Sequence, residues 1–395
     1  MKVIITFAVL TMCLSFPVQA RQDTASASAV VTRPGEVFFN ALERRQSLAS
    51  MIQGTPKKYC RIERVCAYDP VQIIDSQNRS TGQTAALQGL SYWAGVTQYL
   101  RTGSTRQLEH ARSVLNAWVD ADALAQTHGH MPLARHLMKR SLFPTLTAYS
   151  VMRQVLPMPK DERERIERWL ERGIKLIDLD NHDGRTLSDA NNSRYSRDAV
   201  NMAWGVVNDD DEAFHKGIVR FRAALSDMRI DGSLPWETIR GPRVVSYQNL
   251  AISILIPMAE MAQVQGYNLY GENHQGQTIH DAIRFLINAE ANASLVLAYS
   301  EQKQDKIRLG NHLHWTEIYL ARFPDHANAQ GLHDLRARYH FLTGRGNDFS
   351  GGNLSCAFAN PDTNPVLTTR PPRKKVEAIL KTSTVPRISC PKYLD

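Results

Sequence analysis

The sequence predicts an all-α chain of antiparallel helical hairpins wound into a toroid or superhelix. Nine consecutive segments repeat apolar residues near the i, i+3, i+4, i+7 spacing of a helix face, and turn signals separate them at short intervals. The period-two alternation of half-buried strands is hardly visible. Successive helices of similar length with short connections must pack antiparallel, and stacked hairpins of that kind close naturally into a curved array.

Taken in order, the helical segments run 80–101, 105–124, 133–155, 160–177, 193–207, 211–228, 243–265, 277–292 and 312–323. Thr102-Gly103-Ser104, Pro157-Met158-Pro159, Asp231-Gly232-Ser233 and Gly266-Tyr267-Asn268 punctuate them. Residues 1–20 read as a secretory signal peptide: Met1-Lys2, an apolar run to Pro17, then the small-residue exit Val18-Gln19-Ala20. That places the protein in the periplasm or outside the cell. The run is too short for a comfortable bilayer span, and no second run approaches the ~20 residues such a helix needs, so no membrane span is expected. An N-terminal arm at 21–79, a helical body at 80–345 and a Pro-rich segment at 346–395 complete the expected organisation.

With 395 residues and 43% hydrophobic content, the chain can bury a substantial core. Its net charge of +8 points to a polyanionic partner. For an exported protein that means acidic polysaccharide sooner than nucleic acid. After signal cleavage four cysteines remain, Cys60, Cys66, Cys356 and Cys390, an even count that suggests disulfides. Proximity in sequence favours Cys60 with Cys66 and Cys356 with Cys390 among the three possible connectivities. None of the spacings is that of a zinc knuckle, and neither a metal nor a cofactor is expected. A monomer is expected.

Two stretches carry chemistry. In Ser188-Asp189-Ala190-Asn191-Asn192-Ser193-Arg194-Tyr195, polar residues crowd the start of a helix. One of them suffices as a cap, and a pair of amides at a helix N-terminus also offers donors to an anion. The second stretch is Trp236-Glu237-Thr238-Ile239-Arg240-Gly241-Pro242-Arg243, continuing to Ser246-Tyr247-Gln248-Asn249. Pro242 suits a first helical turn. A helix starting there puts Arg243 and Tyr247 at i and i+4 on one face, with Arg240 just off its end. Guanidinium groups beside a phenol stabilise the phenolate, and either arginine can grip a carboxylate. A surface Arg-Tyr stack is the plainer reading of the same pattern.

Together the two stretches resemble the alginate lyase family of helical-toroid polysaccharide lyases. The likeness runs through Asn191-Asn192-Ser193-Arg194-Tyr195 and Asp231-Gly232-Ser233-Leu234-Pro235-Trp236-Glu237, then Arg240, Arg243 and Ser246-Tyr247-Gln248-Asn249. It extends more weakly to Gln83-Thr84-Ala85-Ala86, Trp118 to Leu124, Met138-Lys139-Arg140, Asn311 and Trp315. The resemblance implies an (α/α) toroid, an incomplete α/α barrel, and metal-independent β-elimination on a uronic-acid polymer containing mannuronate or glucuronate. Carried over by position, the carboxylate-neutralising roles fall to Asn192 and Arg240, and the role at the scissile bond to Tyr247. The family's assisting histidine follows its Asn-Asn pair, where this chain has Ser193. His130 or His136 is the nearest replacement, with His130 the first choice for the site. Asn191, Arg194, Arg243 and Trp236 are expected substrate contacts, Trp236 as a stacking platform. Trp93 and Trp204 lie on apolar faces and are expected in the core. Lys57, Lys58 and Tyr59 stand where a lid would be supplied.

The pairs His128-Gly129-His130 and His312-Leu313-His314 look like ligand pairs but lack a third ligand at a known spacing. Three other functions fit parts of the sequence. A non-catalytic acidic-polysaccharide binder in exopolysaccharide metabolism would keep the arginines and amides. A glycoside hydrolase would need two carboxylic acids, and Asp189 with Glu237 is the pair available. A basic structural or membrane-surface protein would answer to charge alone.

Overall fold

The computed structural model describes residues 28–51, 54–61, 64–179, 191–305, 310–339, 341, 343–344, 346–358 and 360–363. The expected signal peptide, Asp189, Cys390 and the basic cluster from Arg370 to Lys375 lie outside them. The elements in chain order begin with α1 (Ala41–Ala49), capped by the Asn40 side chain on the amides of Leu42 and Glu43, and α2 (Thr55–Tyr59). Strand β1 (Ile73–Asp75), α3 (Arg79–Thr102), α4 (Arg106–Asp120), β2 (Gln126–His128), α5 (Met131–Val155) and α6 (Lys160–Asp178) follow. Next come α7 (Asn192–Asn208), α8 (Asp211–Asp227), α9 (Pro235–Thr238), α10 (Val244–Val264), α11 (Ile279–Ala291), α12 (Thr316–Arg322), α13 (Ala329–Arg338) and α14 (Leu354–Phe358). The two short strands pair in parallel, Ile73 opposite Gln126.

Composition sorts the long helices into two layers. Helix α6 carries one apolar stripe, Ile166, Trp169, Leu170, Gly173, Ile174 and Ile177, and leaves its charged face to solvent, as an outer helix must. Helices α5 and α10 are buried nearly all round, from Leu137 to Met152 and through most of Val244 to Ala262, so each must have neighbours on every side. Helices α3, α5, α7, α10 and α12 accordingly pack in succession as an inner layer. Their hairpin partners α4, α6, α8 and α11 lie outside, α13 packs against α11, and α14 touches both α12 and α3. The result is the expected α/α toroid. Close approach of α3 and α5 requires Gly89: a Cβ there would lie 2.7 Å from the Ser141 carbonyl oxygen.

The hairpin alternation makes the inner helices run in one direction, and contacts at both ends agree. Residues 35–39 collect the C-terminal ends of three of them. The Gly35 amide donates to the Val206 carbonyl of α7, its own carbonyl accepts from Ser150 and Gln154 of α5, and the Glu36 carbonyl accepts from Gln265 just past α10. Residues 29–39 of the arm are therefore seated on the body. The N-terminal ends of α5, α7 and α10 meet at the opposite mouth, with their positive dipole ends together.

The ring closure also settles a disulfide. Cys60 after α2 bonds Cys356 in α14, so neither proximity pairing holds. In a closed ring the first and last elements are neighbours, and nearness in sequence is a poor guide. Cys66 is disulfide-bonded as well, and the remaining cysteines, Cys13 and Cys390, lie outside the described residues. Residues 346–358 hold a turn at Asn347–Gly352 as well as α14 and are built into the body. Gly352 has φ +135°, and a Cβ on it would lie within 2.0 Å of Trp93, so only glycine fits. Among the described residues one helical stretch, Gly241–Val264, is long and apolar enough to cross a membrane, and 83% of its apolar window is buried inside the protein as the core helix α10.

Candidate active site at the N-terminal mouth of the inner helices

A short helix and a turn deliver the second stretch to this mouth. Leu234 donates its amide to Gln248 Oε1 of α10, and Gln248 Nε2 donates back to Gly232, which fixes the start of α9. Arg229 donates to Thr238, and Tyr299 donates to Asp231. On a helix of four residues held at both ends, Glu237 and Trp236 must point apart. Glu237 turns inward and is fully buried. Trp236 stays 38% exposed, its indole N–H donating to Asp227 Oδ2 at 3.2 Å.

Glu237 meets the first stretch there. Its Oε1 accepts from the Asn192 backbone amide at 2.6 Å and its Oε2 from Asn192 Nδ2 at 2.8 Å. Burial pushes the Glu237 carboxyl up to about 7, against the opposing pull of the Asn192 hydrogen bonds and of Arg240. Asn191 is the N-cap of α7, its Oδ1 accepting from the Ser193 amide at 2.9 Å. Its buried side chain serves the helix, so the expected substrate contact is a cap in this structure.

Residues 241–243 form a 3-10 turn with Pro242 at its start, and α10 begins immediately after. Arg240 lies over the Tyr247 ring, its guanidinium carbon 3.8 Å from the centroid. Arg243, one helical turn before Tyr247, reaches the phenol oxygen at 3.5 Å. The sequence expectation for this trio is met, with Arg240 on the ring face and Arg243 at the hydroxyl. Tyr247 and Arg240 are half-buried, and Arg243 is exposed.

Helix α5 forms the facing wall. Buried Lys139 donates to the Ser193 carbonyl at 2.9 Å and to Ser193 Oγ at 3.0 Å, tying α5 to the first turn of α7. One turn earlier, burial and the cations Lys139, Arg140 and Arg240 hold the His136 ring down to about 3, so it is a neutral imidazole at physiological pH. His136 thus has the electrostatic link to Arg240. His130 is exposed at the N-cap of α5, its backbone amide donating to Ser76 Oγ. That anchoring lies six residues before His136, and of the two histidines it is His136 that lies within electrostatic reach of Arg240. The turn after 346 closes the wall: Phe349 lies 5.8 Å from the His136 ring and 6.3 Å from the His312 ring, with the Arg140 guanidinium 4.7 Å over it. Asp348 accepts from Arg140 at 2.5 Å.

Other expected contacts lie elsewhere. Arg194 pairs with Asp198 at 3.1 Å, in a cluster with Arg197 and Arg220, and is occupied in an ion-pair network within α7 and α8. Its i+2 spacing from Asn192 turns it to another face of the helix. Tyr59 is buried beside the Cys60–Cys356 bridge, its phenol pushed up to about 12, mainly by burial, so it forms no lid. Trp93, Trp204 and Trp315 are core residues, as expected for the first two. His128 lies 3.4 Å from Asp75, while the buried His314 packs 4.9 Å from Phe341.

A sequence model described as alginate lyase matches residues 75–295, more than half of the chain. The chain belongs to the alginate lyase family. A polysaccharide lyase of Stenotrophomonas maltophilia is 26% identical over 244 residues, which cover 61% of this chain and 71% of that protein. An alginate lyase of Pseudomonas fluorescens is 28% identical over 185 residues, 46% of this chain and 49% of its own length, so the chain spans about half of that relative. Alginate lyase A1-III from Sphingomonas species A1 superposes with a TM-score of 0.70 at 24% identity, covering 84% of this chain and 98% of that one. A tyrosine-to-phenylalanine variant of alginate lyase A1-III complexed with tetrasaccharide gives the same score at 25% identity and the same coverage.

Glu237 lies inside the quoted Leu234-Pro235-Trp236-Glu237 motif, but nothing in the sequence tells a buried carboxyl from an exposed one. His312 and Phe349 lie outside the stretch matched to the alginate lyase family and reach the site only through ring closure.

Proposed function

We propose that the protein is a polysaccharide lyase acting on a uronic-acid polymer that contains mannuronate or glucuronate. The observation that carries this reading is the stack of Arg240 on Tyr247 with Arg243 at the phenol oxygen, set beside Asn192 in a member of the alginate lyase family. Removing H5, alpha to a carboxylate, builds an aci-carboxylate with nearly two negative charges, and neutralising them is the largest requirement. Arg240 supplies a guanidinium, Asn192 retains a second Nδ2 hydrogen beyond the one given to Glu237, and the converging helix dipoles add to both. The reaction needs no metal under this scheme. Tyr247 as phenolate takes H5, the C–H electrons form the C4–C5 double bond, the C4–oxygen bond breaks, and the phenol proton passes to the leaving oxygen.

H5 and the C4 oxygen lie on the same side in D-mannuronate and D-glucuronate, so one tyrosine can do both transfers. In L-guluronate they lie on opposite faces. The basic net charge supports an acidic polymer as substrate, and an exported enzyme would meet it outside the cytoplasm. The test is ultraviolet absorbance of the conjugated double bond in products from purified polyuronates. Growth of that absorbance is expected. Its absence with every polyuronate, alongside retained binding, would favour the non-catalytic polysaccharide binder.

A further inference from the structure

Glu237 has no part in the proton transfers above, yet it is a fully buried carboxyl at the centre of the site. Among the described residues it forms no ion pair. Its oxygens are held by two neutral donors of Asn192 at 2.6 and 2.8 Å, and the cation that acts on it is Arg240, already engaged on the Tyr247 ring. The other titratable groups around it are Tyr195 on α7, whose buried phenol is pushed up by burial first and by Glu237 next, and, beyond Arg240, His136 and Lys139 on α5. An anion arriving at Arg240 and Asn192 would offset the guanidinium field that favours the Glu237 carboxylate and add like-charge repulsion.

Building on the polyuronate reading, we propose that Glu237 is a proton-linked positioning residue. It holds Asn192 in place and takes up one proton when a sugar carboxylate binds at Arg240 and Asn192. The site then keeps its positive balance for the charge that develops on the substrate. Burial already poises the carboxyl near neutrality, at about 7, so small changes in local charge move it across the working range. Asn192 is an N–H donor in either state, and a neutral Glu237 no longer opposes the forming dianion.

The experiment is titration calorimetry of the Tyr247→Phe protein with a mannuronate tetramer, in buffers of different ionisation enthalpy. With a carboxyl at about 7, uptake of up to about three-quarters of a proton per bound tetramer is expected at about pH 7.5, falling toward zero at about pH 5.5. Glu237→Gln should remove the uptake at the higher pH. Binding without proton uptake overturns the proposal, and so does uptake that persists in Glu237→Gln, which would assign the proton to His136. If that variant does not fold, His136→Gln in the Tyr247→Phe protein makes the same distinction: retained uptake keeps the proton on Glu237, and lost uptake assigns it to His136 and overturns the proposal. Failure of any uronate oligomer to bind would remove the polyuronate reading and this inference with it.

Discussion

Asn192 and Glu237 are 45 residues apart in sequence, and both oxygens of the Glu237 carboxyl rest on Asn192 donors, one from the backbone and one from the side chain. The pair locks the second chemical stretch to the first turn of α7. It also buries an acid whose native pKa, about 7, lies above its ordinary 4.5.

A stability consequence follows with a definite sign. The native state holds this proton more tightly than the unfolded chain, so the associated stability is complete below about pH 4.5 and is lost as pH rises through about 7. Glu237→Gln should therefore gain stability relative to the unsubstituted protein on going from about pH 5 to about pH 8, by up to roughly 3 kcal/mol at 1.36 kcal/mol per pH unit. Chemical denaturation of both proteins at the two pH values measures it. Equal differences at both would contradict the buried acid.

Arg240→Ala should lower kcat/KM on a polyuronate by about a hundredfold or more, the usual cost of a preorganised charge-stabilising group. Asn192→Ala should do the same and also destabilise the fold by about 1–3 kcal/mol, because a buried carboxyl oxygen loses its donor. Steady-state kinetics and thermal melts separate the two effects. Wild-type turnover in Arg240→Ala would rule out the anion site.

The Cys60–Cys356 bridge closes a loop of nearly the whole body, with a sequence separation of 296. Cys356→Ser should cost about 2–5 kcal/mol. Non-reducing peptide mapping should recover a peptide pair joining Cys60 to Cys356. A pair joining Cys60 to Cys66 would refute the ring-closing link.

The helices were legible because each hides one face, and the 3.6-residue period survives without knowledge of neighbours. Their ends were less so. The segment expected to run to 124 stops at Asp120, where Asp122 and Leu124 take positive φ with no glycine or proline to announce it. The segment expected from 312 starts at Thr316, its first residues lying before the α-helix in a 3-10 turn at Gly310–Leu313. Tyr247 with Arg243 could be read from spacing alone, since i and i+4 on a proline-started helix share a face. The Asn192–Glu237 pair depends on two neighbouring inner helices packing side by side, and the His136–Phe349–His312 wall and the disulfide join distant segments that only closure of the ring brings together.

In the proposed elimination Tyr247 both takes and returns the proton. Its most direct test is the initial rate of unsaturated-product formation from homopolymeric polymannuronate and polyguluronate, for the unsubstituted protein and Tyr247→Phe. The unsubstituted protein should cleave polymannuronate well ahead of polyguluronate, and Tyr247→Phe should be inactive on both while keeping its thermal stability. Undiminished cleavage by Tyr247→Phe, or a preference of the unsubstituted protein for polyguluronate, would contradict it.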